Sequence, residues 1–482
     1  MPEYVICEKQ ELVAIADTIR SKTGSSDGMV GLSGIINKAK DIKVPKTEEW
    51  IEYTFDEEGY VIEMAFHGFK HIPSGIGCTV TNYEASGYER LRYVDFSDSP
   101  NLISIGNSAF CGCRNLVITS LPKKLVSIGE NAFEDCIGSL SSFPESLMSI
   151  GENAWGDIDF SGFKSIPSSW TSIPNHAFED CTSLALTELP DSITSIGEFA
   201  FSGCTNLALT SLPDSITNID SYVFSDCTNL ALTSLPGSIT SIGSRVFSNC
   251  TNLALTELPD SITSIGSYAF SGCTNLALTF LPDSIASIGS AAFKNCTNLA
   301  LTELPDSITS IDSIVFSGCT NLALTELPDG LESIGSSAFE NCTNLALTSL
   351  PDGLESIGNY AFRNCTNLTL TYLPYSITSI SNQAFAGCTN LVNMEIAATK
   401  LGTGTKIFQN CTGLQNIWIR STCTTITASS AANSHFNGCS TSLKIYAEPT
   451  AKQSGWGTYF NRTGSSGGTT VTVTYGKTTC PW

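Results

Sequence analysis

The chain has little charge, few basic residues and no long apolar run. Of its 482 residues 15% are charged, and 24 Lys and Arg stand against 46 Asp and Glu, which gives a formal net charge of -22. Because such a surface repels phosphate, nucleic acid and anionic membranes are poor candidate partners. No apolar run reaches the ~18 residues of a transmembrane helix, so we expect no membrane insertion.

The first residues also lack the features of a secretion signal. Met1-Pro2-Glu3-Tyr4 precedes neither a basic region nor an apolar one, and a Sec signal peptide needs both. We therefore expect a soluble chain with no encoded secretion route of its own.

Cysteine, in contrast, is abundant and regularly spaced. The chain has 19 cysteines, which in a short secreted protein would indicate a disulfide scaffold. Here most of them are 23 residues apart. The regular series comprises Cys181, Cys204, Cys227, Cys250, Cys273, Cys296, Cys319, Cys342, Cys365, Cys388 and Cys411, with Cys113 and Cys136 upstream. A repeat of this length predicts a solenoid whose coils bury apolar side chains by stacking.

The repeat that begins at Cys250 represents the others. Its two apolar stretches, Leu253 to Leu258 and Ile262 to Ile265, are too short for helices and are separated by Pro259-Asp260. Proline ends the first stretch and turns the chain. The sequence thus predicts a mainly β solenoid with two short parallel strands per coil, about 4.8 Å from coil to coil.

Two further positions of the repeat carry expectations. Gly266 is replaced by aspartate in two coils, which predicts a corner with positive φ, and Ala269-Phe270 should pack inward on a tight helical turn. The third residue before Pro259 is usually apolar, but in this repeat it is Thr256, and the apolar Leu255 stands beside it. This departure leaves two alternatives open, a bulged first strand or a ladder of threonine hydroxyls.

The repeat resembles a known family. The pattern Ile-x-x-Ile-Gly-x-x-Ala-Phe-x-x-Cys-x-x-Leu, seen from Ile262 to Leu276, is similar to the BspA-type leucine-rich repeats. The resemblance extends over about residues 96 to 450. It implies a leucine-rich repeat solenoid and a role as a bacterial adhesin or surface interaction protein, and it implies no reaction centre.

The N-terminal region precedes the repeats. Leu12, Ile15 and Ile19 predict an amphipathic helix over residues 8 to 23, and a second short helix follows. Residues 49 to 55 and 60 to 66 alternate like a β-hairpin that caps the first coil. The segment Glu11 to Gly24 resembles a leader of tail-associated proteins of bacteriophages. The alternative is a helical hairpin that only caps or dimerises.

These features divide the chain into five predicted regions. Residues 1–45 form a helical assembly segment, 46–95 a β cap and 96–412 the solenoid. Irregular repeats and a C-terminal cap then occupy 413–462, and a flexible linker with a terminal strand occupies 463–482.

Catalytic and metal sites are not indicated. The four histidines, His67, His71, His176 and His435, are far apart in the sequence, and a hydrolytic site needs a histidine between an acid and a nucleophile. Cys111 and Cys113 form a close pair without further ligands at metal-binding spacing. We predict no enzyme activity, no cofactor and no metal.

We expect the regular cysteines to remain reduced. Their side chains point the same way on parallel coils, which does not allow a disulfide dihedral, so they should be small buried apolar groups. This structural ladder comprises Cys204, Cys227, Cys250, Cys273, Cys296, Cys319, Cys342 and Cys365. A disulfide among Cys423, Cys439 and Cys480 remains open.

Three columns of the aligned coils suggest a binding surface. Two of them vary while their neighbours do not, and aromatic side chains there could stack on sugars or anchor a protein. The candidate binding residues are Phe199, Tyr222, Arg245, Tyr268 and Tyr360 in one column and Phe280 and Tyr372 in the other. A third column is acidic and includes Asp260 and Asp283. The competing explanation is drift at positions without a packing role.

The sequence therefore predicts a non-enzymatic recognition protein. Our main hypothesis is a phage tail or receptor-binding component of the virion that meets a host cell-surface protein or glycan. Its N-terminal helices would contact other virion proteins or a second copy of the chain. The alternative is a BspA-like adhesin of the bacterial cell surface.

Overall fold

A computed structural model describes residues 4–8, 50–56, 61–72, 90–401, 404–427, 430, 434–464 and 468–482. Of the helix predicted over residues 8 to 23 only Glu8 is described, and it ends a strand; the remainder, the second predicted helix and Cys78 lie outside this part of the chain. The described residues contain only strands, turns and irregular segments. Among them no helix is long and apolar enough to cross a membrane.

The chain divides into two compact units, Met1–Leu209 and Thr210–Trp482, and about 14 coils of a leucine-rich-repeat β solenoid are present in total. The strands of the first unit are β1 (Tyr4–Glu8), β2 (Trp50–Phe55), β3 (Val61–His67), β4 (His71–Ile72), β5 (Tyr93–Asp95), β6 (Ser104–Ile105), β7 (Val117–Ile118), β8 (Ser127–Ile128), β9 (Phe133–Ser139), β10 (Ser149–Ile150), β11 (Trp155–Asp159), β12 (Ser172–Ile173) and β13 (Ser195–Ile196).

The predicted β-hairpin is confirmed. Strands β2 and β3 pair antiparallel, and β3 continues in parallel with β5 of the first coil. Strand β1, which the sequence did not predict, pairs antiparallel with the other edge of β2. The sheet order is thus β1-β2-β3-β5, so the hairpin extends the sheet of the first coil.

The first coils of this unit contain both predicted strands. The sheet β4-β6-β8-β10 collects the second apolar stretch of each coil, and the sheet β7-β9-β11 collects the first. Both sheets are parallel. In these coils the expectation of two short parallel strands is confirmed.

The second unit begins with single strands and ends with a wider sheet. Its strands are β14 (Ser241–Ile242), β15 (Ser264–Ile265), β16 (Ser287–Ile288), β17 (Ser310–Ile311), β18 (Ser333–Ile334), β19 (Ser356–Ile357), β20 (Tyr372–Leu373), β21 (Ser379–Ile380), β22 (Asn393–Ile396), β23 (Lys400–Leu401), β24 (Asn416–Ile419), β25 (Thr425–Ile426), β26 (Lys444–Ala447), β27 (Arg462–Thr463), β28 (Thr469–Thr470) and β29 (Val473–Thr474). The terminal strand predicted near residue 470 is therefore two short strands, β28 and β29.

In residues 210–371, all of which are described, the expectation of two strands per coil is wrong. Only the Ser-Ile dipeptide after the proline turn forms a strand. Leu253 and Leu255 point inward, but Thr256 and Glu257 are both exposed, and two successive outward residues break the period of a strand. The bulged first strand, one of the two alternatives at Thr256, is therefore wrong for these coils, because the stretch is not a strand.

A hydroxyl ladder does exist, but in another column. The threonine after each cysteine donates to the carbonyl of the equivalent threonine one coil earlier, as Thr274 does to Thr251 at 3.5 Å and Thr297 does to Thr274 at 3.3 Å. The serine after Pro-Asp makes a second ladder, in which Ser284 donates to the carbonyl of Ile262 at 2.7 Å.

Ala269 and Phe270 pack inward on a turn as predicted, but the turn is not a helix. The amides of Tyr268, Phe270 and Gly272 donate to carbonyls of the next coil at 2.9, 2.8 and 2.7 Å. In a helix they would instead bond within their own segment. The turns of successive coils are thus joined by three backbone hydrogen bonds per coil.

The positive φ predicted for Gly266 is also wrong, because Gly266 is absent from the residues with positive φ. Glycine is needed there for close approach: an added Cβ would lie 2.6 Å from the backbone carbon of Gly243 in the preceding coil. In one coil Asp312 occupies this position, and there the successive strands β16 and β17 do not pair with each other. Ser381 also occupies it, yet its amide still reaches the carbonyl of Ile357 at 2.9 Å.

The core is built from repeated side chains. Consecutive phenylalanines stack nearly parallel, as Phe270 does on Phe293 at 5.5 Å between ring centroids and 4°. Each cysteine beside them is buried. Cys296, for example, donates its thiol to the carbonyl of Phe270 at 3.0 Å.

Candidate recognition surface

The first candidate column has an unusual backbone conformation. Phe199, Tyr222, Arg245, Tyr268 and Tyr360 all have φ between 56° and 61°. This left-handed region is costly for residues other than glycine, asparagine and aspartate. In this conformation the amides of Tyr222, Arg245, Tyr268 and Tyr360 donate to the next coil, as that of Arg245 does to the carbonyl of Ser267 at 2.9 Å.

A second column has the same conformation but a different composition. The residue before each cysteine also has positive φ, and this column contains only glycine, asparagine and aspartate. Its members are Gly112, Asp135, Asp180, Gly203, Asp226, Asn249, Gly272, Asn295, Gly318, Asn341, Asn364, Gly387, Asn410 and Gly438. In this column the positive φ restricts which residue types occur.

Packing between coils explains the order of residues in that second column. A Cβ on Gly272 would lie 2.4 Å from Oδ1 of Asn249 in the preceding coil. Where two amides follow one another they bond instead, as Asn364 Nδ2 donates to Asn341 Oδ1 at 2.9 Å. Sequence reasoning missed this column, although its restricted composition was a readable signal.

The structure brings three of the candidate residues together. The Arg245 guanidinium lies 5.5 Å from the ring centroid of Tyr222 and 4.6 Å from that of Tyr268. Arg245 is exposed and the two tyrosines are half-buried. Cation–π contacts of this kind hold all three side chains in a defined arrangement.

The other candidates of these two columns are separate. Phe199 stacks on His176 at 4.8 Å, and Tyr360 lies beneath the guanidinium of Arg363 at 5.3 Å. Phe280 is 42% exposed, and the aspartates of the acidic column, including Asp260 and Asp283, are exposed as well.

Tyr372 belongs to another group. Burial, followed by the charges of Glu395 and Asp352, raises the pKa of its phenol. It pairs with Glu395 across β20 and β22, and the row continues to Trp418 and Tyr446. Sequence reasoning ended this column at Tyr372, although the same spacing of 23 residues leads to Glu395 and Trp418.

The eight cysteines of the predicted ladder are buried and form no disulfide. Burial raises the pKa of Cys250, Cys296, Cys342 and Cys365 well above its ordinary value, so these groups remain thiols. Cys423, Cys439 and Cys480 are also free, and of these Cys480 is exposed.

Two of the histidines contact different polar groups among the described residues. His67 Nδ1 lies 2.9 Å from Asp98, and His71 Nδ1 lies 2.6 Å from Ser104. The acid and the hydroxyl thus contact different histidines, whereas a catalytic triad requires both on one. Among the described residues no group of three histidine, cysteine or acidic side chains could hold a metal ion.

His435 has a different environment. Its side chain is fully buried, and neither ring nitrogen has a hydrogen-bond partner in the described part of the chain. Burial therefore lowers its pKa to about 4.

The repeats match the family described as BspA type Leucine rich repeat region over residues 81–160, 161–277, 247–369 and 332–450. The chain belongs to the BspA-type leucine-rich repeat family. The resemblance seen in the repeat is thereby confirmed. A search of curated proteins finds no match.

One solved structure agrees with this fold, and a second is reported for its sequence similarity. A leucine-rich repeat protein from Bacteroides ovatus ATCC 8483 is 28% identical with a TM-score of 0.56, over 80% of this chain and 95% of that chain. A leucine rich cell surface protein from Faecalibacterium prausnitzii A2-165 is 24% identical with a TM-score of 0.38, over 79% and 96%. These comparisons do not support the phage-tail hypothesis or a virion location.

Proposed function

We propose that this BspA-type protein is a non-enzymatic recognition protein of the bacterial cell surface. It would bind a protein or glycan of another cell through the column that contains Tyr222, Arg245 and Tyr268. The adhesin role that the resemblance implies is consistent with this proposal, and the comparisons support it over a phage-tail role.

The observation that carries the proposal is the contrast between the two left-handed columns. Both have the same backbone requirement, yet one contains only glycine, asparagine and aspartate while the other includes Phe199, Tyr222, Arg245 and Ile314. Ile314 has φ 66°, although a β-branched residue is especially unfavourable there. The preference of positive φ for glycine, asparagine and aspartate does not explain these side chains. Residues held in unfavourable backbone conformations cluster at functional sites.

The arrangement of the three side chains suits recognition. Two tyrosine rings with a guanidinium between them combine large contact area with few rotatable bonds. Because the cation–π contacts order these groups before binding, the entropy lost on association is smaller.

The test exploits the same backbone preference. Asparagine tolerates positive φ, so a triple variant with Tyr222→Asn, Arg245→Asn and Tyr268→Asn should keep the fold. We expect it to lose at least tenfold in affinity for cells that bind the parent protein, measured by flow cytometry with fluorescently labelled full-length chain.

The matched control is Asn249→Gly in the other left-handed column, which should leave cell binding unchanged. Denaturant unfolding of each variant separates loss of binding from loss of structure. If the triple variant binds cells as tightly as the parent protein, this column is not the recognition surface.

A further inference from the structure

The outer face of the C-terminal sheet carries a second group of aromatic and polar residues. Strands β20, β22, β24, β26 and β29 form one five-stranded parallel sheet. Met394, Ile417 and Ile445 on its inner face are buried. On the outer face Tyr372, Glu395, Trp418 and Tyr446 lie directly beside one another in register.

This row is continuous because the strands are paired. At about 4.8 Å per strand the four side chains span roughly 14 Å, the length of two to three sugar rings. In residues 210–371 the same column contains mostly serine and glutamate, and there the segment is not a strand. The C-terminal coils therefore combine an aromatic composition with a flat, ordered backbone.

Arg420 fixes the centre of the row. Its guanidinium lies 4.4 Å from the ring centroid of Trp418, with Nη1 3.1 Å from Glu395 Oε1 and Nε 3.3 Å from Glu448 Oε2. Glu448 Oε2 also accepts the amide of Ser421 at 2.7 Å. Both partners of Arg420 are thus held in place before any ligand binds.

The group retains hydrogen-bonding capacity. A guanidinium has five N–H donors, and two of its nitrogens here face carboxylates, while the side chains of Arg420, Glu395 and Glu448 remain 35%, 25% and 24% exposed. The indole N–H of Trp418 is buried and has no acceptor in the described part of the chain. Such an unpaired donor is unusual in a native protein, and Trp418 as a whole is only 4% exposed.

A neighbouring row adds polar groups on the same face. Asn393, Asn416 and Lys444 pair across β22, β24 and β26, two residues before the aromatic row. Asn416 Nδ2 donates to Asn393 Oδ1 at 2.7 Å. Beyond Tyr446, Trp482 is 42% exposed with its ring 6.2 Å away.

We propose that this outer face is a binding site for a neutral oligosaccharide. Sugar hydroxyls need donors and acceptors side by side, which Arg420, Glu395 and the asparagines provide, and the apolar side of a sugar ring packs on aromatic rings such as those of Tyr446 and Trp482. Two carboxylates flank one guanidinium, so an acidic sugar would be repelled. The site is separate from the column around Arg245.

The test begins with the full-length chain on a printed array of neutral and acidic cell-surface oligosaccharides. We expect binding to neutral glycans, and calorimetry with the strongest one should show at least a tenfold loss of affinity in Arg420→Ala and in Tyr446→Ala. Arg420→Lys keeps the charge but not the planar fork and should also lose affinity.

Glu303→Ala, in the same column of a regular coil, is the matched control and should bind as the parent does. Tyr446→Ala removes a half-buried ring and should leave the fold intact, as unfolding measurements can verify. It therefore tests the proposal even if Arg420→Ala is unstable. Failure to bind any neutral glycan, binding of acidic glycans alone, or unchanged affinity in Tyr446→Ala would each overturn the proposal. The triple asparagine variant should bind the glycan normally, so the two proposals can fail separately.

Discussion

Residues 210–371 and residues 372–447 share one repeat but are held together differently. In the regular coils, the first apolar stretch makes one recurring backbone bond to the preceding coil, such as that from the Ala277 amide to the Leu255 carbonyl at 3.2 Å. In the C-terminal coils the same stretch forms a continuous parallel sheet. The regular coils therefore depend more on stacked side chains and on the hydrogen bonds between turns.

The difference follows from the alternation of residues. Asn393, Met394, Glu395 and Ile396 alternate between outward and buried positions, which suits a strand. Thr256 and Glu257 both face outward, so the alternation is lost in the regular coils. Met394, which occupies the position of Thr256 in the C-terminal coils, is buried, and there the stretch forms a strand.

The largest expected effect comes from removing one stacked ring in the regular coils. Phe293 lies between Phe270 and Phe316, with centroids at 5.5 and 5.6 Å. We expect Phe293→Ala to lower the free energy of unfolding by about 3–5 kcal/mol, measured by denaturant titration. The equivalent Phe408→Ala should cost less, because paired strands also hold its coil. An equal or larger loss in Phe408→Ala would contradict the comparison.

Acid should destabilise the C-terminal coils. His435 is buried with its pKa lowered to about 4, from an ordinary value of 6.5, so above pH 6.5 both states are neutral and this contribution to stability is fully present. As the pH falls toward 4 the unfolded state binds the proton first, and roughly 3 kcal/mol is lost.

The measurement compares unfolding midpoints at about pH 7 and about pH 4. The variant His435→Leu should remove most of this acid-dependent loss. His71→Gln, at an exposed position, should keep it. If His435→Leu and the parent chain lose the same stability in acid, the buried imidazole is not responsible.

A smaller effect on stability is expected at Asp312, where β16 and β17 do not pair. Where glycine occupies this position the amide bonds to the preceding coil, as Gly289 does to Ile265 at 2.8 Å. We expect Asp312→Gly to pair β16 with β17 and to gain about 1 kcal/mol, seen as slower amide exchange near residue 312. The reverse change, Gly289→Asp, should speed exchange in β15 and β16. No change in exchange in either variant would show that the aspartate does not cause the gap.

The smallest expected effect tests the serine ladder. Gly330 occupies a position where Ser307, one coil earlier, donates to the Ile285 carbonyl at 2.6 Å. A Cβ on Gly330 would meet only the Asp306 carbonyl oxygen, at 3.9 Å. Gly330→Ser should therefore raise the free energy of unfolding by about 0.5–1.5 kcal/mol.

Gly237→Ser is the control for that change. Gly237 has no atom within 4 Å of an added Cβ, so serine there reduces the flexibility of the unfolded chain without gaining an ordered partner. Equal stabilisation by both substitutions would mean that the hydroxyl bond contributes nothing measurable.

Parts of the site could have been predicted from the aligned repeats. The column before each cysteine contains only glycine, asparagine and aspartate, which is the signature of positive φ. The Gly266 column also contains glycine and aspartate, but for a different reason, the approach of the neighbouring backbone. Composition alone does not separate these causes, because glycine and aspartate occur in both columns.

Of the two clusters, only the one around Arg245 could have been predicted from spacing alone. Arg245 is exactly one repeat from both Tyr222 and Tyr268, so their proximity follows from stacking. Arg420, in contrast, meets Glu395 and Glu448 at separations of 25 and 28 residues, after the repeat has become irregular. Side-chain direction and strand register decide that contact.

The sequence by itself determined the repeat, the solenoid and the buried ladders of phenylalanine and cysteine, because side chains 23 residues apart must stack in adjacent coils. Only the tertiary structure decided which stretches become strands, where φ is positive and which polar groups meet at the C-terminal sheet. These features depend on hydrogen bonds and close contacts between neighbouring coils, and such contacts exist only once the coils are stacked.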